Sequence, residues 1–210
     1  PKPSSAASDV YKRQLVEISS HAWHRDRSVI VSIAPETAIS FGTALLAAIA
    51  DYRWQTDGMR HDLLGNFTPG DARKIVDFAR RHLKLSNDEL EEMADVAKWT
   101  HAVLSLSSPP IALVRRFLAR PHALSAMALL EALRAVGAAA DRIDALRPMF
   151  DRYASTDNAP PPLVTGDDLV AAGYRPGPTF KQALDLAYDA QLEDRVVDRA
   201  AALALAKSYL

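Results

Sequence analysis

The stretch GYRPGPTFKQAL, residues 173–184, contains the features that decide how the end of this chain folds. Gly173 stands where a helix ends with a positive φ, and Pro178 suits the first turn of the helix that follows. Pro176 fixes a corner between them, and Gly177 allows a left-handed conformation or a close approach of another group. The stretch therefore predicts a tight helix–turn–helix corner.

The same corner has a second interpretation, as a cradle for phosphate groups. The N–H groups at a helix start lack partners within the helix, and Arg175 and Lys181 lie on either side of this start. Together with Gly177, these residues are candidate RNA contacts. Helical corners in general use Gly and Pro in this way, however, and the residues alone favour the purely structural interpretation.

The composition predicts an all-α protein. Hydrophobic residues make up 49% of the 210 residues and aromatic residues only 7%, while alanine and leucine dominate. The chain contains no cysteine, which excludes disulfides and thiolate metal sites and fits a cytoplasmic location. No apolar run approaches the roughly 18–20 residues needed to cross a membrane. A net charge of −1 means that any RNA surface has to be a local patch.

Hydrophobic spacing and helix-start signals predict a series of helices. A buried helix is expected over 34–54 and a helix with one apolar face over 68–85, and a helix over 86–106 begins with a capping box of Ser86 and Glu89. Further helices are expected over 112–118 and 122–137, the latter stopped by Gly137. Beyond residue 165, Thr165 caps a short helix that ends at Gly173, and two more helices complete the tail.

This pattern predicts four regions along the chain. Residues 1–14, which include SSAASDVYKRQ, resemble translated sequencing adapter, and we expect a non-native or disordered leader there. A helical body follows over 15–154. Consecutive prolines forbid a helix in the linker over 155–165. The region 166–210 is a small helical tail that contains the Gly/Pro corner.

The order TGDDL, G, PGP, L, AYDAQLED and AL over residues 160–206 closely resembles the C-terminal end of bacterial tRNA nucleotidyltransferases, the CCA-adding enzymes and their poly(A) polymerase relatives. LKLSNDELEEMADV (83–96) and ALVRRFLARP (112–121) resemble earlier segments of that family. The resemblance implies a parent enzyme that adds CMP and AMP to tRNA from CTP and ATP with Mg²⁺, and a helical portion that holds the tRNA.

The catalytic head of that family needs a Gly-rich turn with paired aspartates to hold divalent metals, and no such arrangement occurs in this sequence. Asp167 and Asp168 are adjacent, but they stand in the first turn of a helix, where the helix dipole favours acids. We therefore expect neither catalytic nor metal-binding residues in this chain and interpret it as the C-terminal part of the enzyme without its head.

The basic helix in ALVRRFLARP is the second candidate RNA surface. Arg115, Arg116 and Arg120 can line one side of a groove and neutralise phosphates, which predicts salt-sensitive binding. A solvated helix face explains the same arginines without RNA. Trp23, Trp54 and Trp99 are expected in the core.

Two alternative functions come from other classes. His61 and Asp62 form the dipeptide of HD-type metal phosphohydrolases, with other histidines as possible companions, but the dipeptide stands in a polar segment beside glycines rather than at the end of a buried helix. This pattern favours an ordinary surface pair over a degenerate phosphohydrolase. A helical scaffold that docks partner helices on its apolar faces is the other alternative.

Overall fold

The structure, a computed structural model, describes residues 42–48, 76–77, 79–81, 85–137 and 139–210. These residues form helices and connecting segments, with no strand among them, so the all-α prediction is confirmed. The expected leader over 1–14 lies outside the described residues, as do most of the helices expected over 34–54 and 68–85. Residues 42–48 and the described part of 76–81 are helical. The longer helices are α1 (Asn87–Leu104), α2 (Ile111–Leu118), α3 (Ala123–Ala135), α4 (Ala140–Tyr153), α5 (Gly166–Ala171), α6 (Pro178–Leu192) and α7 (Arg199–Ser208).

The start of α1 confirms the predicted capping box. The Ser86 hydroxyl accepts a hydrogen bond from the Glu89 backbone N–H at 3.2 Å, and the Glu89 carboxylate accepts one from the Ser86 N–H at 2.8 Å. Two N–H groups that a helix start leaves without partners are thus satisfied. The apolar side chains Leu90, Met93, Val96 and Ala97 of α1 are buried.

The chain divides into two compact units. The first contains residues 1–108 and 120–148, and the second contains residues 109–119 and 149–210. The second unit therefore combines α2, the last turn of α4, and all of α5, α6 and α7. The expected linker over 155–165 lies inside this second unit.

In the first unit, α1 packs against α3 and a carboxylate joins the helices. Leu104 of α1 and Leu130 of α3 are fully buried. Glu92 of α1 accepts hydrogen bonds from the hydroxyls of Ser125 at 2.9 Å and Thr43 at 3.2 Å. Because a half-buried carboxylate is costly without partners, these bonds fix the register of the neighbouring helices. Gly137 has a φ of 81° just after α3, as predicted.

In the second unit, α6 is the central helix. It packs against α7 and α2, and α5 contacts both α6 and α7. One cluster of buried residues contains Leu169, Phe180 and Ala187, and a second contains Val164 and Ala190. These clusters define the core on which the Gly/Pro corner stands.

Phe117 of α2 and Phe150 at the end of α4 complete the core of the second unit. Their rings stack with centroids 5.3 Å apart. Phe117 is fully buried, and truncation of such a side chain to alanine costs about 3–5 kcal/mol. The position of α2 within this unit is therefore set by its apolar face, and that face decides which way its arginines point.

Candidate nucleic-acid interface

The helix α5 leads into the corner and begins with a second capping box. The Asp168 carboxylate accepts hydrogen bonds from the Thr165 N–H at 2.8 Å and from the Thr165 hydroxyl at 3.0 Å, and it also bonds the guanidinium of Arg199 in α7. The Thr165 backbone N–H, followed by Arg199, holds the pKa of Asp168 below its ordinary value. Asp168 thus has the structural role expected from its place in a first turn.

Gly173 ends α5 as predicted, with a φ of 93°. Its N–H donates to the Val170 carbonyl at 2.9 Å, and the Tyr174 N–H donates to the Leu169 carbonyl at 3.1 Å. These two bonds form a Schellman motif, which requires a left-handed residue at the position of Gly173. The Tyr174 side chain then packs on the cluster that contains Leu169, so the corner is anchored to the core.

Gly177 and Pro178 begin α6, with Gly177 at the N-cap and Pro178 in the first turn, as expected. Gly177 is extended, with a φ of −164°, so the left-handed alternative considered for it is wrong. Any residue adopts that conformation, and a Cβ built at Gly177 meets nothing nearer than the Arg175 carbonyl oxygen at 3.9 Å. The fold itself therefore does not require glycine at this position.

Arg175 and Lys181 are both exposed, on either side of the start of α6. Within the described part of the chain, neither has an ion pair or a hydrogen bond from its side chain. No side chain caps the N-terminus of α6. The last turn of α7 lies beside this start, because the Tyr209 hydroxyl donates to Gln182 Oε1 at 3.1 Å. The predicted cluster of Arg175, Gly177 and Lys181 is thus accessible to an anion.

Arg115 was expected to face RNA, but the structure places it inside the second unit with 9% of its surface exposed. Its two terminal nitrogens donate to the carbonyl oxygens of Leu192 and Asp157, both at 2.7 Å. The guanidinium also lies over the Tyr153 ring, 5.6 Å from the centroid. An RNA contact by Arg115 stays a prediction. Such a contact requires Arg115 to break its hydrogen bonds to the Leu192 and Asp157 carbonyls.

Arg116 lies closer to the surface but has carboxylate partners on α6. Its Nε donates to Asp189 Oδ1 at 2.7 Å, and Asp185 lies 3.6 Å from its Nη2. The guanidinium also stacks over the Tyr188 ring, 4.9 Å from the centroid. A sequence signal for this arrangement existed, because Asp185 and Asp189 are four residues apart and share one face of α6.

Arg120 belongs to the first unit, where it forms a two-pronged bond with Asp95. Its Nη2 and Nε donate to Asp95 Oδ1 at 2.7 Å and 3.1 Å. Its guanidinium also lies over the ring of Trp99. Trp99 was expected in the core, and it is half-buried. The arginines at 115, 116 and 120 therefore do not share one set of partners, and phosphate binding by Arg116 or Arg120 competes with carboxylates already in contact.

The alternative phosphohydrolase site cannot be described, since His61 and Asp62 lie outside the described residues. Among the residues that are described, no three His, Asp or Glu side chains are grouped so that they could hold a metal ion. The helices of the described ranges include none long and apolar enough to span a bilayer.

Comparison of the chain with protein-family models, with curated proteins and with solved structures found no match. The candidate interface is therefore defined by its own geometry. It consists of the exposed corner of Arg175, Gly177 and Lys181 at the start of α6.

Proposed function

We propose that this chain is the RNA-binding helical body and tail of a protein of the tRNA nucleotidyltransferase family, and that its partner is tRNA in the cytoplasm. The resemblance of residues 160–206 to that family motivates the proposal. One structural observation supports it: Arg175 and Lys181 are exposed cations beside the start of α6, which no side chain caps, and no carboxylate in the described part of the chain pairs with either. Cations attract phosphate, and so does the positive end of a helix dipole.

In this proposal the chain grips RNA by shape and backbone charge and makes no bonds itself. Transfer of CMP and AMP from CTP and ATP with Mg²⁺ belongs to a catalytic head, for which we recognise no residues in this chain. Contacts to phosphate position an RNA without reading its sequence, which suits a partner shared by all tRNAs. Arg175, Gly177 and Lys181 are the primary contacts.

Arg116 and Arg120 are secondary contacts in this proposal. Each already bonds a carboxylate at 2.7 Å. A phosphate therefore adds only the difference between the free energy of its own contact with the arginine and that of the carboxylate contact it replaces. We therefore expect a smaller loss of affinity when either is replaced than when an unpaired cation is replaced. This ranking separates the two basic surfaces that the sequence alone treats as equivalent.

The proposal is tested by tRNA binding across a salt series. Charge reversal in the double variant Arg175→Glu/Lys181→Glu is expected to weaken binding and to lower the slope of log K against log salt by about 2, because each lost phosphate contact removes about one released counterion. The matched control is Lys98→Glu, which reverses an exposed cation in the first unit and is expected to leave the slope unchanged.

Equal binding by the parent chain and the double variant, with unchanged helical content and thermal midpoint, would exclude the corner as the RNA site. A loss in the Lys98→Glu control about half as large as that in the double variant would show only a dependence on net charge, because the control reverses one cation and the double variant reverses two. A tRNA transcript and a DNA duplex of similar charge are compared in parallel. Tighter binding of the tRNA is expected, because the proposed recognition includes the shape of the RNA.

A further inference from the structure

The segment 157–163, which we call the strap, runs through Ala159, Pro160, Pro161 and Pro162 and contains no helix or strand. Each proline lacks an N–H donor, and each residue that precedes a proline is held to extended conformations. Backbone of this kind makes no internal hydrogen bonds. Its carbonyl groups therefore need donors from elsewhere, either water or side chains.

Side chains of α2 and α6 supply these donors along the strap. Arg115 of α2 donates to the Asp157 carbonyl at 2.7 Å. On α6, the Tyr188 hydroxyl donates to the Pro160 carbonyl at 3.1 Å, and the Gln191 amide donates to the Pro161 carbonyl at 2.9 Å. The side-chain oxygen Oε1 of Gln191 also accepts from the Leu163 N–H at 2.9 Å. Docking of a proline-rich segment against aromatic and polar side chains is a recurring recognition mode, and here the ligand is part of the same chain.

Arg115 also holds the end of α6. Its other terminal nitrogen donates to the carbonyl of Leu192, the last residue of that helix, which has no partner within the helix. The side chain is buried, and no carboxylate of the described residues pairs with it, so the two carbonyls and the negative end of the helix dipole stabilise its charge. One guanidinium thus bonds the strap and the C-terminus of α6 at the same time.

The beginning of the strap is fixed by a further buried group. The Asn158 amide donates to the Tyr153 carbonyl at 2.8 Å, at the end of α4. The Tyr153 ring lies under Arg115, so Asn158 and Arg115 both contact Tyr153, Asn158 at its backbone carbonyl and Arg115 at its ring. The strap is therefore tied at its start, along its length and at Leu163.

We propose that Arg115 is the latch of this strap, a positioning residue that makes the strap and the C-terminal end of α6 open and close as one cooperative unit. The proposal does not rest on RNA binding. It assigns to Arg115 a role in holding the second unit together, and it makes residues 157–163 a closed strap rather than a flexible connection. Loss of the Arg115 hydrogen bonds exposes the Asp157 carbonyl of the strap and the Leu192 carbonyl of α6 at the same time.

The experiment is amide hydrogen exchange on the full chain without RNA, comparing Arg115→Met with Arg152→Met. Arg152 is an exposed residue whose guanidinium lies over the same Tyr153 ring at 5.3 Å, and no backbone carbonyl among the described residues accepts a hydrogen bond from it, so it is the matched control. The probes are the Leu163 N–H in the strap and the Arg195 N–H, which donates to the Ala190 carbonyl at 2.8 Å beyond α6. In Arg115→Met we expect both amides to exchange faster by about tenfold or more, and in Arg152→Met by less than about twofold.

Faster exchange at both probes in Arg115→Met alone supports the latch. Unchanged exchange at either probe, or equal changes in the two variants, overturns it. A second variant decides the matter if Arg115→Met loses its helical structure. Tyr188→Phe removes only the hydroxyl bonded to Pro160 and keeps the ring under Arg116. We expect about two- to tenfold faster exchange at Arg195 as well as Leu163, and an unchanged Arg195 rate in that variant overturns the proposal.

Discussion

Arg116 and Asp189 form a direct bond between α2 and α6, with 2.7 Å between Nε and Oδ1. About 29% of the Arg116 side chain is exposed, so the pair is neither fully screened nor fully desolvated. The Tyr188 ring under the guanidinium limits its motion. Arg116, a predicted phosphate contact, therefore also connects α2 to α6.

A double-mutant cycle of Arg116→Met and Asp189→Asn measures that connection. We expect a coupling free energy of about 0.5–1 kcal/mol, because partly exposed ion pairs contribute little and the aromatic ring preserves the geometry. Urea denaturation of the four proteins gives the value. Asp185→Asn is the control, since Asp185 lies at the longer distance of 3.6 Å, and a larger coupling with Asp185 contradicts the assignment.

The two glycines of the corner are expected to respond differently to alanine. Gly173→Ala should lower the free energy of unfolding by about 1–2 kcal/mol, because the φ of 93° is strained for any residue with a Cβ. Gly177→Ala should change stability by less than about 0.5 kcal/mol, since its extended backbone and open surroundings accept a methyl group.

Thermal unfolding of the two variants checks this difference, and equal losses contradict it. Because Gly177→Ala is expected to leave the fold intact, it also probes the proposed interface. Weaker tRNA binding by this variant at unchanged stability indicates close approach of RNA to the backbone at the start of α6.

Asp194 is a left-handed residue where glycine is favoured. It follows α6 with a φ of 57°, and the Arg195 N–H closes a Schellman motif onto the Ala190 carbonyl. Asp194→Gly is expected to raise the free energy of unfolding by about 0.5–1 kcal/mol. Asp194→Ala is the control and should be less stable than the glycine variant. A thermal midpoint for Asp194→Gly below that of the parent contradicts the claim that the left-handed backbone at this position favours glycine.

Asp168 should make stability depend on acid pH. Its pKa is lowered in the folded chain, chiefly by the Thr165 N–H and then by Arg199, so the ionised carboxylate stabilises the fold above the pKa of an unfolded aspartate. That contribution is lost as the pH falls through the lowered pKa of the folded state. Asp168→Asn is therefore expected to be less stable than the parent near neutral pH.

The difference between the two proteins should shrink as the solution becomes more acidic and disappear below the folded-state pKa. Thermal midpoints measured in a pH series check this. A difference that stays constant into strong acid shows that the carboxylate charge is not the cause. Asp167→Asn is a matched control in the same turn.

The local features of the fold could be predicted because neighbouring residues carry them. The capping boxes at Ser86 and Thr165, the helix end at Gly173 and the helix start at Pro178 depend on hydrogen bonds and torsion angles within a few residues. Local reasoning did not decide the conformation of Gly177, because glycine adopts left-handed and extended backbone conformations with similar ease.

The candidate site could be predicted only in part. The sequence identifies Arg115, Arg116 and Arg120 as neighbouring cations on one basic segment, but their partners lie at Leu192, Asp189 and Asp95. When the partner of a side chain lies on another helix, it depends on which helix faces pack together. The spacing of residues along one helix does not predict that packing. Arg175 and Lys181 were predicted from their place beside a helix start, and they are exposed and unpaired among the described residues.

The sequence by itself determined that the described residues are helical, where α1, α5 and α6 begin, and which residues turn the corner at 173–178, since torsional preferences and capping bonds act over one or two turns. Only the tertiary structure decided which arginines are neutralised and that the proline-rich segment is bound along α6. Burial of Phe117 and its neighbours orients α2, and that orientation directs Arg115 to backbone carbonyls. Apolar packing thus set the electrostatic partners, because burial of apolar surface dominates over exposed ion pairs.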